Sequence, residues 1–433
     1  MNNQLLNKIA DKKITVGIIG LGYVGLPLSL TVASEKINTV GFDIDEKKVQ
    51  SINQGKSYIN HIRNQAISNV LDKYFVATTD YSAIVKLDII IICVPTPLKS
   101  NNEPDLQYIF NTLSSIKSYL RENQLLILES TTYPGTTNEH IVPIVIKLGL
   151  NIGTNFFVGY SPERVDPGNE NFSIKNIPKI VSGHTKNCLK LTKSFYDQIV
   201  NKTVPVSSTQ VAEMTKIMEN IHRAINIGLV NELKIVADKM DIDIYEVINA
   251  ASTKPFGFAP YYPGPGLGGH CIPIDPYYLT WKAKQVGIDT QFIKLAGEIN
   301  TSMPEYVIEK IIIELKKIRK NINKSKILIL GLAYKKNIGD TRESPSLNII
   351  DKLINLGAKV DYSDPYIFDF PKTRKYKIDL KSVKLTSTVI NSYEIVVLIT
   401  DHDFFDYDMI KKNAKKIIDT RGRFSPGSKI IRA

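Results

Sequence analysis

An apolar stretch over residues 13–19 runs directly into Gly20-Leu-Gly-Tyr-Val-Gly25. An apolar-periodic segment follows at 26–34, and Val40-Gly-Phe-Asp43 closes a second apolar stretch. Strand, glycine turn, helix, strand and terminal acid, in that order, form the pattern of a dinucleotide-binding βαβ unit. Each glycine has its own task. Gly20 makes the tight turn, Gly22 admits a pyrophosphate to the helix N-terminus, and Gly25 lets helix and strand pack closely. Asp43 would accept hydrogen bonds from the adenosine ribose hydroxyls and repel a 2′-phosphate, which favours NAD over NADP. The bare GxGxxG string is weak evidence; the elements around it give it weight.

Further apolar runs at 88–94, 125–129 and 156–159 predict more parallel strands, each ending in a polar loop. Those loops are Pro95-Thr-Pro97, Ser130-Thr-Thr-Tyr-Pro-Gly135 and Ser161-Pro-Glu-Arg164. All three leave the carboxyl edge of the sheet, where open α/β folds bind their ligands. From Thr209 the pattern changes to one long helix covering at least 210–238. Glu213, Lys216, Asn220 and Asn231 share one of its faces. The remaining faces are rich in Val, Met, Ile, Leu and Ala, which predicts a buried helix whose polar stripe faces a polar cavity or a partner.

A glycine-rich loop, Gly264-Pro-Gly-Leu-Gly-Gly-His-Cys-Ile-Pro-Ile-Asp-Pro, then delivers Cys271 to a predicted helix over 277–286. Gly266, Gly268 and Gly269 let the backbone approach a ligand, and Pro273 and Pro276 suit a first helical turn. A thiol at a positive helix end is favoured as the nucleophilic thiolate. Asp275, four residues on, can face the same side. A second α/β unit follows, with strands at 325–330, 358–362, 394–400 and 416–420 and a helix at 346–356. It has no second GxGxxG, and Lys335, Lys336, Arg342 and Arg421 are its candidate phosphate partners.

A chain of 433 residues is too long for one core. Residues 1–205 are expected to form the dinucleotide domain, 206–310 a central helical segment, and 311–433 the second α/β domain. The fold class is therefore α/β, with two Rossmann-like, doubly wound parallel-sheet domains joined by a long central helix. The net charge of +12 is spread without a basic, aromatic-interleaved stripe, so no nucleic-acid partner is expected. No apolar run approaches the ~20 residues of a membrane span, and residues 1–13 lack the apolar stretch of a signal peptide. A cytoplasmic location is expected. Three cysteines and six scattered histidines suggest neither a disulfide framework nor a metal site. Cys93 and Cys188 read as structural.

Taken together, Gly20-Leu-Gly-Tyr-Val-Gly-Leu-Pro-Leu28, Val94-Pro-Thr-Pro97, Glu129-Ser-Thr131, Ser161-Pro-Glu163, the Glu213/Lys216/Asn220 helix, Gly268-Gly-His-Cys271 with Asp275, and Gly331-Leu-Ala-Tyr-Lys335 through Asp340-Thr-Arg-Glu-Ser-Pro345 resemble the UDP-glucose/GDP-mannose dehydrogenase family over essentially the whole chain. The resemblance implies an NAD-dependent, four-electron oxidation of a sugar C6 hydroxyl to the uronic acid, and a homodimer formed through the central helix. It implies Cys271 as nucleophile. Lys216 and Asn220 would stabilise oxyanion charge, and Glu163, Thr131 and Asp275 would handle water and protons. Tyr23, Val24, Thr96, Glu129, Thr131 and Arg342 would join the glycines and Asp43 around NAD. Glu163, Arg164, Lys216, Asn220, Gly268, Lys335 and Arg421 would hold the UDP-sugar.

Some residues depart from the UDP-glucose branch. Ile274 stands where that branch has lysine, and Arg164-Val-Asp-Pro-Gly-Asn169 and Phe256-Gly-Phe-Ala-Pro-Tyr-Tyr-Pro-Gly264 are further marks of difference. They resemble enzymes acting on UDP-N-acetylhexosamines, UDP-N-acetylglucosamine foremost. The galacto and manno epimers and UDP-glucose are the alternatives. Such products feed surface polysaccharides such as capsule and O-antigen. Two other readings are a non-catalytic nucleotide-sugar or NAD sensor and a two-electron hydroxyacid dehydrogenase. The first leaves Cys271, Lys216, Asn220 and Asp275 unexplained, and the second needs no second α/β domain.

Overall fold

Parallel strands cannot be joined by hairpins, so a chain alternating short apolar runs with amphipathic helices folds into open sheets covered on both faces. The computed structural model describes residues 3–59, 62–165, 172–269, 272–372 and 376–433, and contains two such sheets. The first comprises β1 (Thr15–Ile19), β2 (Asn38–Phe42), β3 (Phe75–Thr78), β4 (Ile89–Ile92), β5 (Gln124–Leu128), β6 (Phe156–Tyr160), β7 (Lys179–Gly183) and β8 (Thr203–Pro205). Their order is β3-β2-β1-β4-β5-β6-β7-β8. The first six run parallel in the dinucleotide-binding order, and β7 turns antiparallel to β6. Every residue of β4 and β5 is buried, including Gln124, whose amide donates to the carbonyls of Ile84 and Leu87.

The second sheet comprises β9 (Lys326–Leu330), β10 (Lys359–Ser363), β11 (Ile395–Leu398), β12 (Ile417–Asp419) and β13 (Ile430–Arg432), all parallel in the order β10-β9-β11-β12-β13. This is a five-stranded doubly wound sheet whose order reverses between β9 and β11, the position of its ligand crevice. It is thus a different winding from the first sheet. Strands β3, β7, β8 and β13 and the helix Asn3–Ala10 were not anticipated from the sequence. Leu5 and Ile9 of that helix are buried in the core of the first sheet. Cys93 and Cys188 are free and buried, as their structural reading required.

By contacts the chain separates into two compact units, Met1–Glu219 with Tyr277–Ile288, and Asn220–Pro276 with Asp289–Ala433. The long helix, Thr209–Lys239, contributes to both. It is a buried helix with a polar stripe turned inward, as expected from the sequence: Glu213, Lys216, Asn220 and Asn231 are buried together with Ala212, Ile217, Ile221, Ala224 and Val230. Val211, Met214, Met218, Leu229, Leu233 and Val236 are exposed, Met218 by 65%. Glu213, Asn220 and Asn231 find hydrogen-bond partners elsewhere in the protein, and those partners offset the desolvation cost of the stripe.

Candidate active site

In the first unit the glycine turn after β1 is built as a cradle. Gly20 sits at φ +94°, and a Cβ there would come 2.7 Å from the Cys93 carbonyl oxygen. A Cβ on Gly25 would lie 1.9 Å from the Gly20 oxygen. At Gly22, by contrast, an added Cβ meets nothing within 4 Å. Open space over the turn, at the start of the helix Gly25–Ser34, fits a pyrophosphate. Asp43, just past β2, accepts the Leu21 N–H at 3.0 Å and the Asp45 N–H at 3.0 Å, with Lys48 Nζ at 3.3 Å. Its carboxylate therefore both braces the turn and sits where a ribose would be read.

The loops after β4, β5 and β6 converge on one buried polar cluster. Glu129, fully buried, accepts a short hydrogen bond from the Tyr196 hydroxyl and lies 3.0 Å from Lys179 Nζ. Lys179 reaches Glu163 Oε2 at 2.8 Å, while Glu163 Oε1 accepts the N–H groups of Arg164 and Val165, both at 2.7 Å. Burial alone would raise the Glu163 carboxyl, but the Lys179 ammonium and those N–H donors outweigh it and hold it below its ordinary value. Burial pushes Glu129 up, with Lys179 offsetting only part of the effect, and it pushes the Cys93 thiol up as well. Thr96 is buried, and its carbonyl accepts from the Tyr278 hydroxyl at 2.9 Å. Arg164 is turned to Glu219, at 2.6 Å, and to the Pro178 carbonyl at 2.9 Å. Asp166, two residues on and the other acid that a loop pairing of Arg164 would use, lies outside the described residues.

Glu213 anchors the loop that carries Thr131. It accepts from Gly135 N–H at 2.6 Å, Thr137 N–H at 2.9 Å and the Thr137 hydroxyl at 2.7 Å. Burial pushes its carboxyl up to about 7, with those donors opposing. Lys216, one turn further along the helix, is buried.

In the second unit the Asn220 amide donates to the carboxylate of Asp275, the first residue of the helix Asp275–Gln285. Both are buried. Cys271, the expected nucleophile, and His270 lie outside the described residues; the sequence places Cys271 four residues before Asp275. The glycine loop leading to it hangs from the long helix: Gly264 N–H donates to Asn231 Oδ1 at 2.9 Å, and Asn231 in turn donates to Asn300 at 2.9 Å. A Cβ on Gly268 would lie 2.5 Å from the Tyr334 Cβ, and Gly269, at φ +83°, donates its N–H to the Arg342 carbonyl at 2.8 Å. The loop thus packs on the segment that carries Lys335 and Arg342. Arg342 itself forks onto Asp340, at 2.7 Å. Arg421, just past β12, donates from Nε to the Ile399 carbonyl at 2.7 Å, and its guanidinium lies against Gly264, where a Cβ would be 2.8 Å away. Lys336 pairs with the exposed Asp403.

Sequence reasoning missed Lys179, Tyr196, Asn300 and Tyr334. The only signal for Lys179 was its place ahead of the apolar run Ile180-Val181, where one lysine looks like any other.

Models of three consecutive domains match this chain: the NAD binding domain of the UDP-glucose/GDP-mannose dehydrogenase family over residues 14–200, its central domain over 210–302 and its UDP binding domain over 328–426. The chain belongs to the UDP-glucose/GDP-mannose dehydrogenase family. It is an NAD-dependent oxidoreductase of that family. It is 35% identical to protein CapL of Staphylococcus aureus, covering 94% of this chain and 95% of that one. It is 34% identical to the UDP-N-acetyl-D-glucosamine 6-dehydrogenase of Pseudomonas aeruginosa, covering 94% of each. It is also 34% identical to the UDP-N-acetyl-D-mannosamine dehydrogenase of Methanococcus aeolicus, covering 95% and 90%. Among solved structures, the UDP-D-ManNAc dehydrogenase of Pyrococcus horikoshii superposes with a TM-score of 0.86 at 31% identity, covering 96% and 98%. No helix of the described residues is long and apolar enough to cross a membrane.

Proposed function

We propose that this protein oxidises the C6 hydroxyl of a UDP-N-acetylhexosamine, UDP-N-acetylglucosamine in particular, to the uronic acid, supplying a surface polysaccharide. The observation that carries this reading is the Asn220–Asp275 hydrogen bond at the head of the helix that follows Cys271. It ties the polar stripe of the long helix to the nucleophile's own segment. Gly20, Gly22, Gly25 and Asp43 hold NAD, with Tyr23, Val24, Thr96 and Arg342 as further contacts. When bound, NAD supplies a hydride acceptor for each of the two oxidations.

The Cys271 thiolate adds to the C6 aldehyde, and a proton completes the thiohemiacetal; the second oxidation leaves a thioester. Lys216 and Asn220 stabilise the oxyanion in each addition. Water then adds to the thioester carbon, its proton passing to Glu163 with Thr131 and Asp275 assisting, and the C–S bond breaks to return the thiolate. Gly268, Lys335 and Arg421 hold the UDP-sugar, and Arg164 and Ile274 are assigned to the acetamido side.

The exposed apolar residues Val211, Met214, Met218, Leu229, Leu233 and Val236 along the long helix support a homodimer, because apolar side chains left in water on one helix suit a second copy. The relatives named for the gluco and manno substrates are equally similar to this chain, so the epimer is tested directly. A panel of UDP-sugars is assayed for NADH formed per sugar consumed. Two NADH per sugar, fastest with UDP-N-acetylglucosamine, is expected. A ratio of one with free aldehyde as product refutes the thioester route, and a faster manno, galacto or glucose substrate reassigns the specificity. Cys271→Ala should abolish uronate while leaving NAD binding intact.

A further inference from the structure

We propose that Lys179 is a positioning residue for the hydrolytic half of the reaction: wedged between Glu129 and Glu163, it holds Glu163 as a carboxylate in one orientation, ready to take a proton from water. The inference rests on the reading of Glu163 as the group that handles water.

Lys179 opens β7, a strand antiparallel to β6, and this reversal brings its side chain back beneath the loop that carries Glu163. Its side chain is 4% exposed, and its ammonium lies 3.0 Å from Glu129 and 2.8 Å from Glu163, over the ring of Tyr196 at 5.3 Å. A lysine so buried is held by its partners, since an uncompensated charge there would be very costly. Glu163 differs from Glu129 in what remains open. Its side chain keeps 13% exposure, and its other oxygen takes two backbone N–H groups from its own loop. Every donor that reaches Glu163 favours the ionised form.

The charged and titratable groups around the cluster come from every element packed on it. Among the described residues they are Cys93 after β4, Glu129 after β5, Glu163 and Arg164 after β6, Lys179 at the start of β7, and Tyr196 at the end of the helix Lys186–Tyr196. Arg164 pairs with Glu219 at 2.6 Å. Two carboxylates share one ammonium, and only Glu163 adds two backbone N–H donors to it, while burial raises the deeper Glu129. Glu163 is left ionised, with its rotamer fixed from both oxygens.

The test uses the full-length enzyme with the UDP-sugar oxidised fastest in the panel. In Lys179→Met, steady-state uronate formation should fall about tenfold or more, while KM for NAD and for the sugar stays within about twofold. The NADH formed in the first turnover should appear at the wild-type rate, because the oxidations precede hydrolysis. The acidic limb of the kcat–pH profile should move upward by about one pH unit, and Lys179→Arg should restore most of both losses. Should Lys179→Met fail to fold, the double variant Glu129→Gln/Lys179→Met removes the stranded charge, and the same displaced acidic limb is expected from it. An unchanged acidic limb in either folded variant overturns the assignment and leaves Lys179 a purely structural ion. A Glu163→Gln enzyme that makes uronate at the normal steady-state rate tells instead against the reading of Glu163, whatever Lys179 does.

Discussion

The two glycine turns, one after β1 and one after β9, are built on the same plan and do different things. In the first, Gly20 N–H donates to the Phe42 carbonyl at 2.8 Å, and Asp43 beyond β2 accepts the Leu21 N–H. In the second, Gly331 N–H donates to the Ser363 carbonyl at 2.9 Å, and Asp364 beyond β10 accepts the N–H groups of Leu332 and Ala333 at 2.7 and 3.0 Å. The difference lies in what surrounds the carboxylate. Asp43 has a half-exposed Lys48 beside it and open space over Gly22, whereas Asp364 is buried against His402 at 3.0 Å and the turn is filled by Ala333 and Thr400. The same strand–glycine–acid device is a ligand cradle when left open and an internal brace when plugged.

The largest effect that tests this contrast is a methyl group added to each turn. Gly331→Ala places a Cβ 2.5 Å from Thr400 at φ +87°, so it should destabilise the protein by about 3–5 kcal/mol, read from urea unfolding. Gly22→Ala meets no protein atom. It should leave the unfolding midpoint almost unchanged and weaken NAD binding about tenfold or more by calorimetry. Normal NAD affinity in Gly22→Ala would break the comparison.

Buried lysines extend the contrast to the two units. Lys179 has two carboxylates in contact, whose charges outweigh burial and raise it. Lys234, on the long helix, has no hydrogen-bond partner among the described residues, and burial pushes it down to about 7, with Asp419 opposing. Because its folded value lies below its unfolded one, the cost of burying it is full below about pH 7 and fades as pH rises toward the ordinary lysine value of about 10.5. Lys234→Met should therefore stabilise the protein by about 2–4 kcal/mol at pH 6, with the gain shrinking by pH 9. Thermal melts across that range decide it, and a pH-independent difference would show that Lys234 is solvated.

The smallest effect comes from the two aspartates. Burial would raise Asp364, but His402 and the N–H donors hold it below its ordinary value, so its contribution is present above about pH 4 and is lost on further acidification. Asp364→Asn should cost about 2 kcal/mol at pH 7 and converge with wild type in acid. Asp43→Asn should weaken NAD binding by about tenfold and narrow its advantage over NADP, with a smaller change in stability. Parallel denaturation and cofactor titrations of the two variants measure both; matching losses of stability would erase the distinction between cradle and brace.

Local pattern was enough to read the parts of this protein that repeat with the period of an element. The strands at β1, β4, β5 and β6, the long helix and the glycine turn with Asp43 were all legible, because side chains three, four or two residues apart share a face whatever the rest of the chain does. Strand β7 and the role of Lys179 were not, since Glu129, Glu163 and Lys179 are separated by 34 and 16 residues along the chain and meet only after β6 and β7 reverse direction. The long helix shows the same limit. Its composition predicted a buried helix with an inward polar stripe, yet which groups Glu213, Asn220 and Asn231 would meet was settled by segments distant in sequence. Periodicity is a property of neighbours in sequence, while desolvation and charge pairing depend on neighbours in space, and only the folded chain supplies those.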